Sequence, residues 1–387
     1  MEMAKFLKRM LCLLLAAAMF ISLVACSSDT SDDETTAAAE TTEAAEEETT
    51  AEAATREVTD LQGNTLTLPT EIESVAITSW MGAFGAFVLL GQIDKVTCMA
   101  DTSRYAWLRH AYPELEDLPD NGSFNDVNIE ELLAGDYDVI ISPASASDAN
   151  EQMQELGMPV YVDGLTTSDA DDVFGLSNAE LEAVAELTGT EDLLEEYYEW
   201  SEAVLDMVAE RVADIPDEDR KTVMCVRTSI QEVFGDNIDM GLSITDAGGI
   251  NVVGDTVDRY GEVDAESIAE WDPDFIFQII VTQSYDDEMA EYYNEWAADE
   301  RYSSITAIQN GDVYIMPMGI VQWNGGTDYP LGVLLMAKLM YPDLFEDIDV
   351  KEYAEEFYLT FMGYEMDDED WEIMAPNFNG ANTNGIY

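Results

Sequence analysis

Histidine and basic residues are scarce in this chain, and both shortages exclude functions. Its 387 residues include one histidine, His110, and 15 lysines and arginines against 82 aspartates and glutamates. A Ser-His-Asp triad or a Cys-His dyad would have to use His110, and one histidine cannot form the multi-histidine cage of a bare transition-metal ion. Nucleic acids and anionic lipid surfaces need basic contacts to phosphate, so neither is an expected partner. Because no phosphate-binding glycine loop or zinc-protease motif is present either, we expect a non-enzymatic protein without a cofactor or a resident metal.

Cysteine is also rare, with four in the chain. Cys12 lies in an N-terminal apolar run and Cys26 directly follows that run. Cys98 and Cys225 each lie inside an apolar stretch and lack the spacing of a metal site. We expect these two to be small buried residues rather than a disulfide.

A short apolar run near the N-terminus predicts export. Residues 10–25 are largely apolar, and a basic cluster precedes them. The run is shorter than the roughly 20 residues of a membrane-spanning helix, and its small-residue exit is typical of a secretion signal. The exit, Leu-Val-Ala-Cys over 23–26, resembles the lipobox of bacterial lipoproteins. That resemblance implies a signal peptide over 1–25 and a lipid anchor on Cys26.

The segment after Cys26 has the composition of a tether. Residues 27–55 are serine, threonine, alanine, aspartate and glutamate only. Such a stretch cannot bury enough apolar surface to offset the entropy of ordering, so we expect a disordered acidic tether over 26–55. Together, the two N-terminal segments predict a protein held on the extracytoplasmic face of the cell membrane.

From residue 56 onward, short β-rich runs alternate with helical patterns, which is typical of α/β lobes with mainly parallel sheets. We expect an N-terminal lobe over 56–177, an inter-lobe segment over 178–213, and a C-terminal lobe over 214–387 whose helical tail, 350–374, packs on that same lobe. One long rigid helix over 191–212 would join the lobes and allow only modest hinge motion. The predicted strands are 74–78, 95–99, 138–142, 159–162, 222–226, 275–280 and 312–316, and the other predicted helices include 82–90, 129–133, 265–270 and 331–340.

Several segments carry motifs that recur, in the same order, in one known family. They are Val58-Thr59-Asp60 with Gly63 and Leu68-Pro69; Leu90-Gly91 through Val96; Asn128-Ile129-Glu130 followed by Asp138-Val139-Ile140; Val263-Asp264-Ala265-Glu266 followed by Trp271-Asp272-Pro273-Asp274; and Ile305 through Val313. Together they resemble the type III periplasmic-binding proteins, which bind iron siderophores, haem and cobalamin. The resemblance implies the class III fold and a monomeric lipoprotein that passes its ligand to an ABC permease and its ATPase.

The same resemblance implies which residues dock the permease. In this family one glutamate on each lobe pairs with arginines of the permease, and the matching positions are Glu130 and Glu266. A charge-assisted carboxylate–guanidinium pair on each lobe would fix the docking register. Spacing alone would not single these two out, because the chain is covered in acids.

The ligand is expected at the carboxyl ends of the parallel strands, where open α/β sheets bind their ligands. Aromatic faces and an arginine suit a bulky, partly anionic chelate. A tryptophan or tyrosine at such a position can equally belong to the core. The candidate ligand-binding residues are Trp80, Arg104, Tyr105, Trp107, Arg227, Trp323 and Tyr329.

A ferric siderophore is the first expectation for the ligand, because the chelator saturates the iron and no protein ligand is needed. Haem held by a methionine of one lobe and a histidine of the other is disfavoured, since the second half has no histidine. A corrinoid receptor, or a haem receptor that binds in another way, remains the alternative. From other classes, a surface adhesion lipoprotein that has lost transport and a secreted hydrolase stay open.

Overall fold

The computed structural model describes residues 54–78, 83–100, 106–123, 126–163, 175–279, 298–320, 323 and 325–375. The predicted signal peptide, Cys26 and nearly all of the predicted tether lie outside these ranges. The described residues belong to one compact unit that begins at Ala53. None of the helices within these ranges combines the length and the apolarity needed to cross a membrane.

The first half of the described chain contains a parallel four-stranded sheet. An antiparallel hairpin of β1 (Thr55–Thr59) and β2 (Thr65–Pro69) precedes it. The sheet has the order β4-β3-β7-β8 and all its pairs are parallel. Its strands are β3 (Val75–Ile77), β4 (Val96–Met99), β7 (Val139–Pro143) and β8 (Val160–Asp163). The intervening elements are α1 (Ala83–Leu89), α2 (Ala106–Ala111), the short hairpin β5 (Gly122–Ser123) and β6 (Asp126–Val127), α3 (Ile129–Ala134) and α4 (Ser147–Glu155).

The second half contains a six-stranded sheet with a parallel centre. Its order is β12-β10-β9-β13-β14, and β11 also pairs with β9. Pairs among β9, β11, β13 and β14 are parallel, whereas β10 and β12 add an antiparallel edge. The strands are β9 (Thr222–Val226), β10 (Glu232–Phe234), β11 (Ile250–Asn251), β12 (Tyr260–Glu262), β13 (Phe275–Gln278) and β14 (Val313–Ile315). The helices among them are α7 (Asp239–Asp246), α8 (Ala265–Trp271) and α9 (Thr306–Asn310).

The parallel strands are mostly apolar on both faces, as expected where helices cover both sides of a sheet. In β9, Val223 and Cys225 face one hydrophobic cluster, and Met224 and Val226 face another. The first sheet alternates in the same way, with Ile77 and Ile141 in the cluster that also contains Val223. One continuous core therefore joins the inner faces of both sheets, while each outer face has a smaller cluster of its own.

Five further helices lie between and after the two sheets in the chain. Four are long, α5 (Gly175–Thr188), α6 (Glu191–Val212), α10 (Tyr329–Met340) and α11 (Val350–Met362), and α12 (Asp368–Met374) is short. Helix α6 buries Tyr197, Ser201, Val204 and Val208 on one stripe, as expected for residues spaced three to four apart, and it packs mainly against α10.

The C-terminal tail, α11 and α12, corrects one expectation. We expected the tail to pack on the second half alone, but α11 contacts both α1 and α10, and α12 contacts α2. The tail therefore returns to the first half. The sequence does not indicate this, because an amphipathic helix pattern shows that a face is buried and not which partner covers it.

The predicted strands and helices of the two sheets are otherwise confirmed to within a few residues. The strand over 222–226 and the helix over 191–212 match the structure at both ends. Cys98 and Cys225 are buried and are not joined in a disulfide, as predicted. The pattern missed β10, β11 and β12, which are two or three residues long and carry glycine, asparagine and glutamate.

Candidate functional site: the carboxyl ends of the parallel strands

Arg227 directly follows the central strand β9 at its carboxyl end. The side chain of the buried Gln278, the last residue of β13, donates to the carbonyl oxygens of Arg227 and Thr228, at 3.2 Å each. The Arg227 amide in turn donates to the carbonyl of Glu232 at 2.9 Å. These bonds hold the backbone of Arg227 firmly and leave its side chain to the solvent side.

The Arg227 guanidinium lies against Tyr260 of β12. Its central carbon is 5.7 Å from the ring centroid, and Nη1 is 3.5 Å from the phenol oxygen. Among the described residues, no carboxylate oxygen lies within 4.0 Å of this guanidinium. By contrast, Arg211 pairs with Asp347 and Arg301 pairs with Asp299, at 2.6 Å each. In a chain with 82 acids, an arginine without a carboxylate partner at the end of a central strand retains its capacity to bind an anion.

Tyr260 and Glu232 complete this cluster, and sequence reasoning missed both. The Tyr260 hydroxyl donates to Glu232 Oε1, and Glu232 Oε2 accepts the Ser229 amide at 3.1 Å. Partial burial, followed by the bond to Glu232, raises the pKa of Tyr260, so the phenol stays protonated. The ring is 40% exposed and rests on Phe234. The antiparallel pairing of β10 with β12 brings these side chains together, and no local motif marks it.

Three of the predicted aromatic residues lie in the interior. Trp107, Trp323 and Tyr329 are each 1% exposed or less. All three rings are packed inside the protein, so none offers a face to a ligand in this conformation. Their polar atoms are also bonded internally: Trp107 Nε1 donates to Asp370 at 3.1 Å, Trp323 Nε1 to Tyr358 at 3.1 Å, and the Tyr329 hydroxyl to Asp246 at 2.7 Å.

The C-terminal tail and α7 cover these three side chains and provide their hydrogen-bond partners. Asp370 and Tyr358 belong to the tail, and Asp246 ends α7. These three aromatic residues follow strands in the sequence, but elements distant in the chain cover them. The other candidates, Trp80, Arg104 and Tyr105, lie outside the described residues.

Glu130 and Glu266 occupy equivalent positions in the two halves. Each is the second residue of a short helix that leads into a parallel strand, α3 before β7 and α8 before β13. Each helix has a side-chain cap: Asn128 accepts the Glu131 amide at 3.2 Å, and Asp264 accepts the Ser267 amide at 2.8 Å. Both glutamates are exposed.

A surface cavity of about 220 Å³ lies near the amino end of β3, away from the carboxyl ends. Its two basic residues already bond to main-chain carbonyls. Arg56 donates to Glu186 and Leu187 at 2.9 Å each, and Lys95 donates to Ile72 at 2.8 Å. These bonds give both side chains a structural role at the base of the first sheet.

Comparison with known proteins agrees with this architecture. The family model for the periplasmic binding protein matches residues 75–318. The molybdate-binding protein MolA of Haemophilus influenzae is 27% identical over 271 residues, which cover 64% of this chain and 74% of that protein.

Two solved structures share the fold. A periplasmic solute-binding protein from Veillonella parvula has a TM-score of 0.69 at 24% identity, covering 85% of this chain and 99% of its own. The molybdate-bound MolA structure has a TM-score of 0.69 at 22% identity, covering 81% and 99%.

The fold, with its two parallel sheets and long connecting helix, and the matched residues lead to one conclusion. The family model spans well over half of the chain. Proteins of this family bind solutes outside the cytoplasm and catalyse no reaction. The chain belongs to the type III periplasmic-binding-protein family and is the substrate-binding protein of an ABC transporter.

Proposed function

We propose that this chain captures a metal carried as an anion and delivers it to the permease of its transporter. The observation that carries the proposal is Arg227, which lacks a carboxylate partner among the described residues although the chain is strongly acidic. An anion bound at the end of β9 would meet the guanidinium of Arg227, while the Tyr260 hydroxyl keeps its hydrogen bond to Glu232. A charge-assisted hydrogen bond to arginine is about twice as strong as a neutral one.

A ferric siderophore is the first candidate. Its chelating groups saturate the iron, so the protein needs to supply only shape, aromatic contact and a positive charge. A near-neutral corrinoid has less need of Arg227, and haem would require an axial ligand or a comparable anchor. The siderophore therefore makes the fullest use of the Arg227 cluster.

Molybdate is the second candidate, and a specific observation favours it. The relative from Haemophilus influenzae, 27% identical over 271 residues, is a molybdate-binding protein. A small oxyanion would need several donors converging on it, and Arg227 would supply part of that set. A surface adhesion lipoprotein that has lost transport would bind neither candidate.

Permease docking is proposed for Glu130 and Glu266. Both are exposed and both stand on capped helices at equivalent points of the two halves. Carboxylates held in this way suit bidentate pairing with arginines of the permease.

Cys26 is proposed to carry the lipid that holds the protein at the membrane. The lipobox-like segment over 23–26 and the acidic stretch behind it support this assignment. Labelling with a radioactive fatty acid should mark the wild-type chain and leave Cys26→Ser unmarked; equal labelling of both would refute the anchor.

The ligand is tested by calorimetric titration of the full chain with ferric enterobactin, ferric petrobactin, sodium molybdate, cobalamin, haemin and nickel–histidine. We expect saturable binding of a siderophore or of molybdate, and a loss of about 10- to 100-fold in affinity for Arg227→Gln. Arg301→Gln, which removes an exposed arginine paired with Asp299, is the control and should bind as the wild type does. Tight binding that is indifferent to Arg227→Gln would overturn the proposed site, and binding of cobalamin alone would overturn the anionic ligand.

A further inference from the structure

We propose that the C-terminal tail positions the chain segments beside the ligand site, with Tyr358 and Asp370 as its positioning residues. The inference rests on the proposed location of the ligand at the carboxyl ends of the strands. Neither residue is argued to touch the ligand. Each acts through a tryptophan that follows one of the parallel strands in the chain.

Tyr358 of α11 holds the segment between β14 and α10. Its hydroxyl accepts the Trp323 indole N–H and donates to Asp328, both at 3.1 Å, and all three side chains are fully buried. Asp328 directly precedes α10. A Cβ atom on Gly319 would overlap the Tyr358 hydroxyl, so the segment approaches the tail too closely for any residue but glycine.

Asp370 of α12 holds the start of α2, the helix that follows β4. Its Oδ1 accepts the Trp107 indole N–H at 3.1 Å and the Tyr364 hydroxyl at 2.8 Å. Its Oδ2 accepts the Asp367 amide at 2.9 Å. The carboxylate is 2% exposed, so its several bonds replace the water it has lost.

The two anchors meet in one aromatic cluster. The ring of Trp107 is 4.7 Å from that of Tyr358, and Trp323 is 5.9 Å from Trp371. The start of α2 in the first half and the segment around Trp323 in the second are thereby joined to the same short stretch of tail. The Met318 amide adds a further bond to the tail, to the carbonyl of Met374 at 3.1 Å.

Buried hydrogen bonds give the contact between the tail and the two segments a single geometry. Apolar side chains could fill the same space in several arrangements, whereas each indole N–H and carboxylate oxygen here must keep its partner or remain unsatisfied in a medium of low dielectric. The tail therefore sets the separation of the two segments. Removing one hydroxyl should widen the range of separations without unfolding the core.

The test compares two tyrosine-to-phenylalanine variants that each lose one donor and one acceptor. Tyr358→Phe removes the proposed anchor. Tyr341→Phe removes a hydroxyl that donates to Gly248 and accepts the Lys221 amide, at 2.9 Å each, beside the start of β9. Spin labels on Glu151→Cys of α4 and Ala269→Cys of α8 report the distance between the halves. Cys12 and Cys26 are replaced by serine in every variant.

We expect double electron–electron resonance on the full chain to give one narrow distance in the wild type and in Tyr341→Phe, and a broadened distribution in Tyr358→Phe. Trp323→Phe, which removes the donor of the same bond together with part of a buried ring, should broaden it as well. An unchanged distribution in both tail variants would overturn the inference. Equal broadening of the distance distribution in Tyr341→Phe would show that losing any buried hydroxyl loosens the protein, and it would also overturn the inference.

A second measurement connects the contact between the tail and the two segments to binding. With sodium molybdate or ferric enterobactin as probe, Tyr358→Phe should raise the dissociation rate about tenfold while Tyr341→Phe leaves it unchanged. If the wild type binds neither probe, the proposed ligand class is wrong. The distances between the spin labels still test whether the tail holds the start of α2 and the segment around Trp323 in place.

Discussion

Asp239 and Arg227 are charged side chains that the tertiary structure partly encloses. Arg227 is held by backbone contacts and an aromatic face, with no acid within 4.0 Å among the described residues. Asp239, the first residue of α7, loses much of its contact with water. Burial raises the pKa of its carboxyl from 3.8 to about 6, although the charge of Arg259 opposes the rise. The surroundings of each side chain, and not its place in the sequence, raise the pKa of Asp239 and leave the Arg227 guanidinium without a carboxylate partner among the described residues.

Asp239→Asn should stabilise the protein near neutral pH. A carboxyl whose pKa is higher in the folded state binds its proton more tightly there than in the unfolded state. Its contribution to the free energy of unfolding is therefore complete below pH 3.8 and is lost as the pH rises through about 6. At pH 7 the ionised carboxylate opposes folding. We expect the asparagine variant to gain about 1–2 kcal/mol in the free energy of unfolding, less than the full shift implies because partial exposure screens the charge.

Urea unfolding at several pH values from 7 down to 4 measures this difference. The advantage of Asp239→Asn should shrink as the pH falls and nearly vanish at the acid end. Asp236→Asn, an exposed aspartate three residues earlier, is the control and should show no such trend. A gap that stays constant with pH would show that the carboxyl titrates normally.

At the scale of elements, α12 depends on its own cap. The Asp367 side chain accepts the amides of Glu369 and Asp370 at 2.8 and 3.1 Å, and the Asp370 side chain accepts the Asp367 amide in return. The helix has seven residues, too few to be stable alone. Its cap and its packing against α2 must together keep it folded.

Asp367→Ala should loosen α12 before anything else. Two amides at the helix start lose their acceptor, which typically costs about 1 kcal/mol. Hydrogen exchange should accelerate first over 367–375, with the central strands still protected. Asp368→Ala, which removes only an exposed partner of Lys351, should leave this exchange unchanged. Uniform acceleration across the whole chain in Asp367→Ala would contradict a local role for the cap.

At the scale of the whole molecule, the two halves present one matched pair of acids. Glu130 and Glu266 stand at the second position of α3 and α8, and each helix leads into a parallel strand of its own sheet. The net charge of −67 keeps the chain soluble but does not by itself select a partner surface. Only the position of a carboxylate on the fold can do so.

Charge reversal of the pair, Glu130→Arg with Glu266→Arg, should block transport and spare ligand binding. Like charges would then face the permease arginines, and ligand-stimulated ATP hydrolysis by the reconstituted transporter should fall at least about tenfold. Glu195→Arg, an exposed position on α6, is the charge-matched control and should stimulate as the wild type does. Full stimulation by the double variant would place the docking surface elsewhere.

The class of the fold and most of its regular elements follow from local features of the sequence. Apolar strands, helical spacing and ordered motifs are local signals, and the strand over 222–226 and the helix over 191–212 follow from them directly. Local patterns also made Arg227 a candidate ligand-binding residue, because it follows a strand that is apolar on both faces.

Which of the candidate side chains face inward depends on the packing of distant segments. Trp107, Trp323 and Tyr329 follow strand ends as Arg227 does, yet the tail and α7 cover them. Tyr260 and Glu232 lie beside Arg227 because β10 and β12 pair antiparallel, and no sequence motif predicts this pairing. A sequence pattern records that a face is apolar, whereas its partner is set by packing between segments far apart in the chain, and that packing exists only once the whole chain has folded.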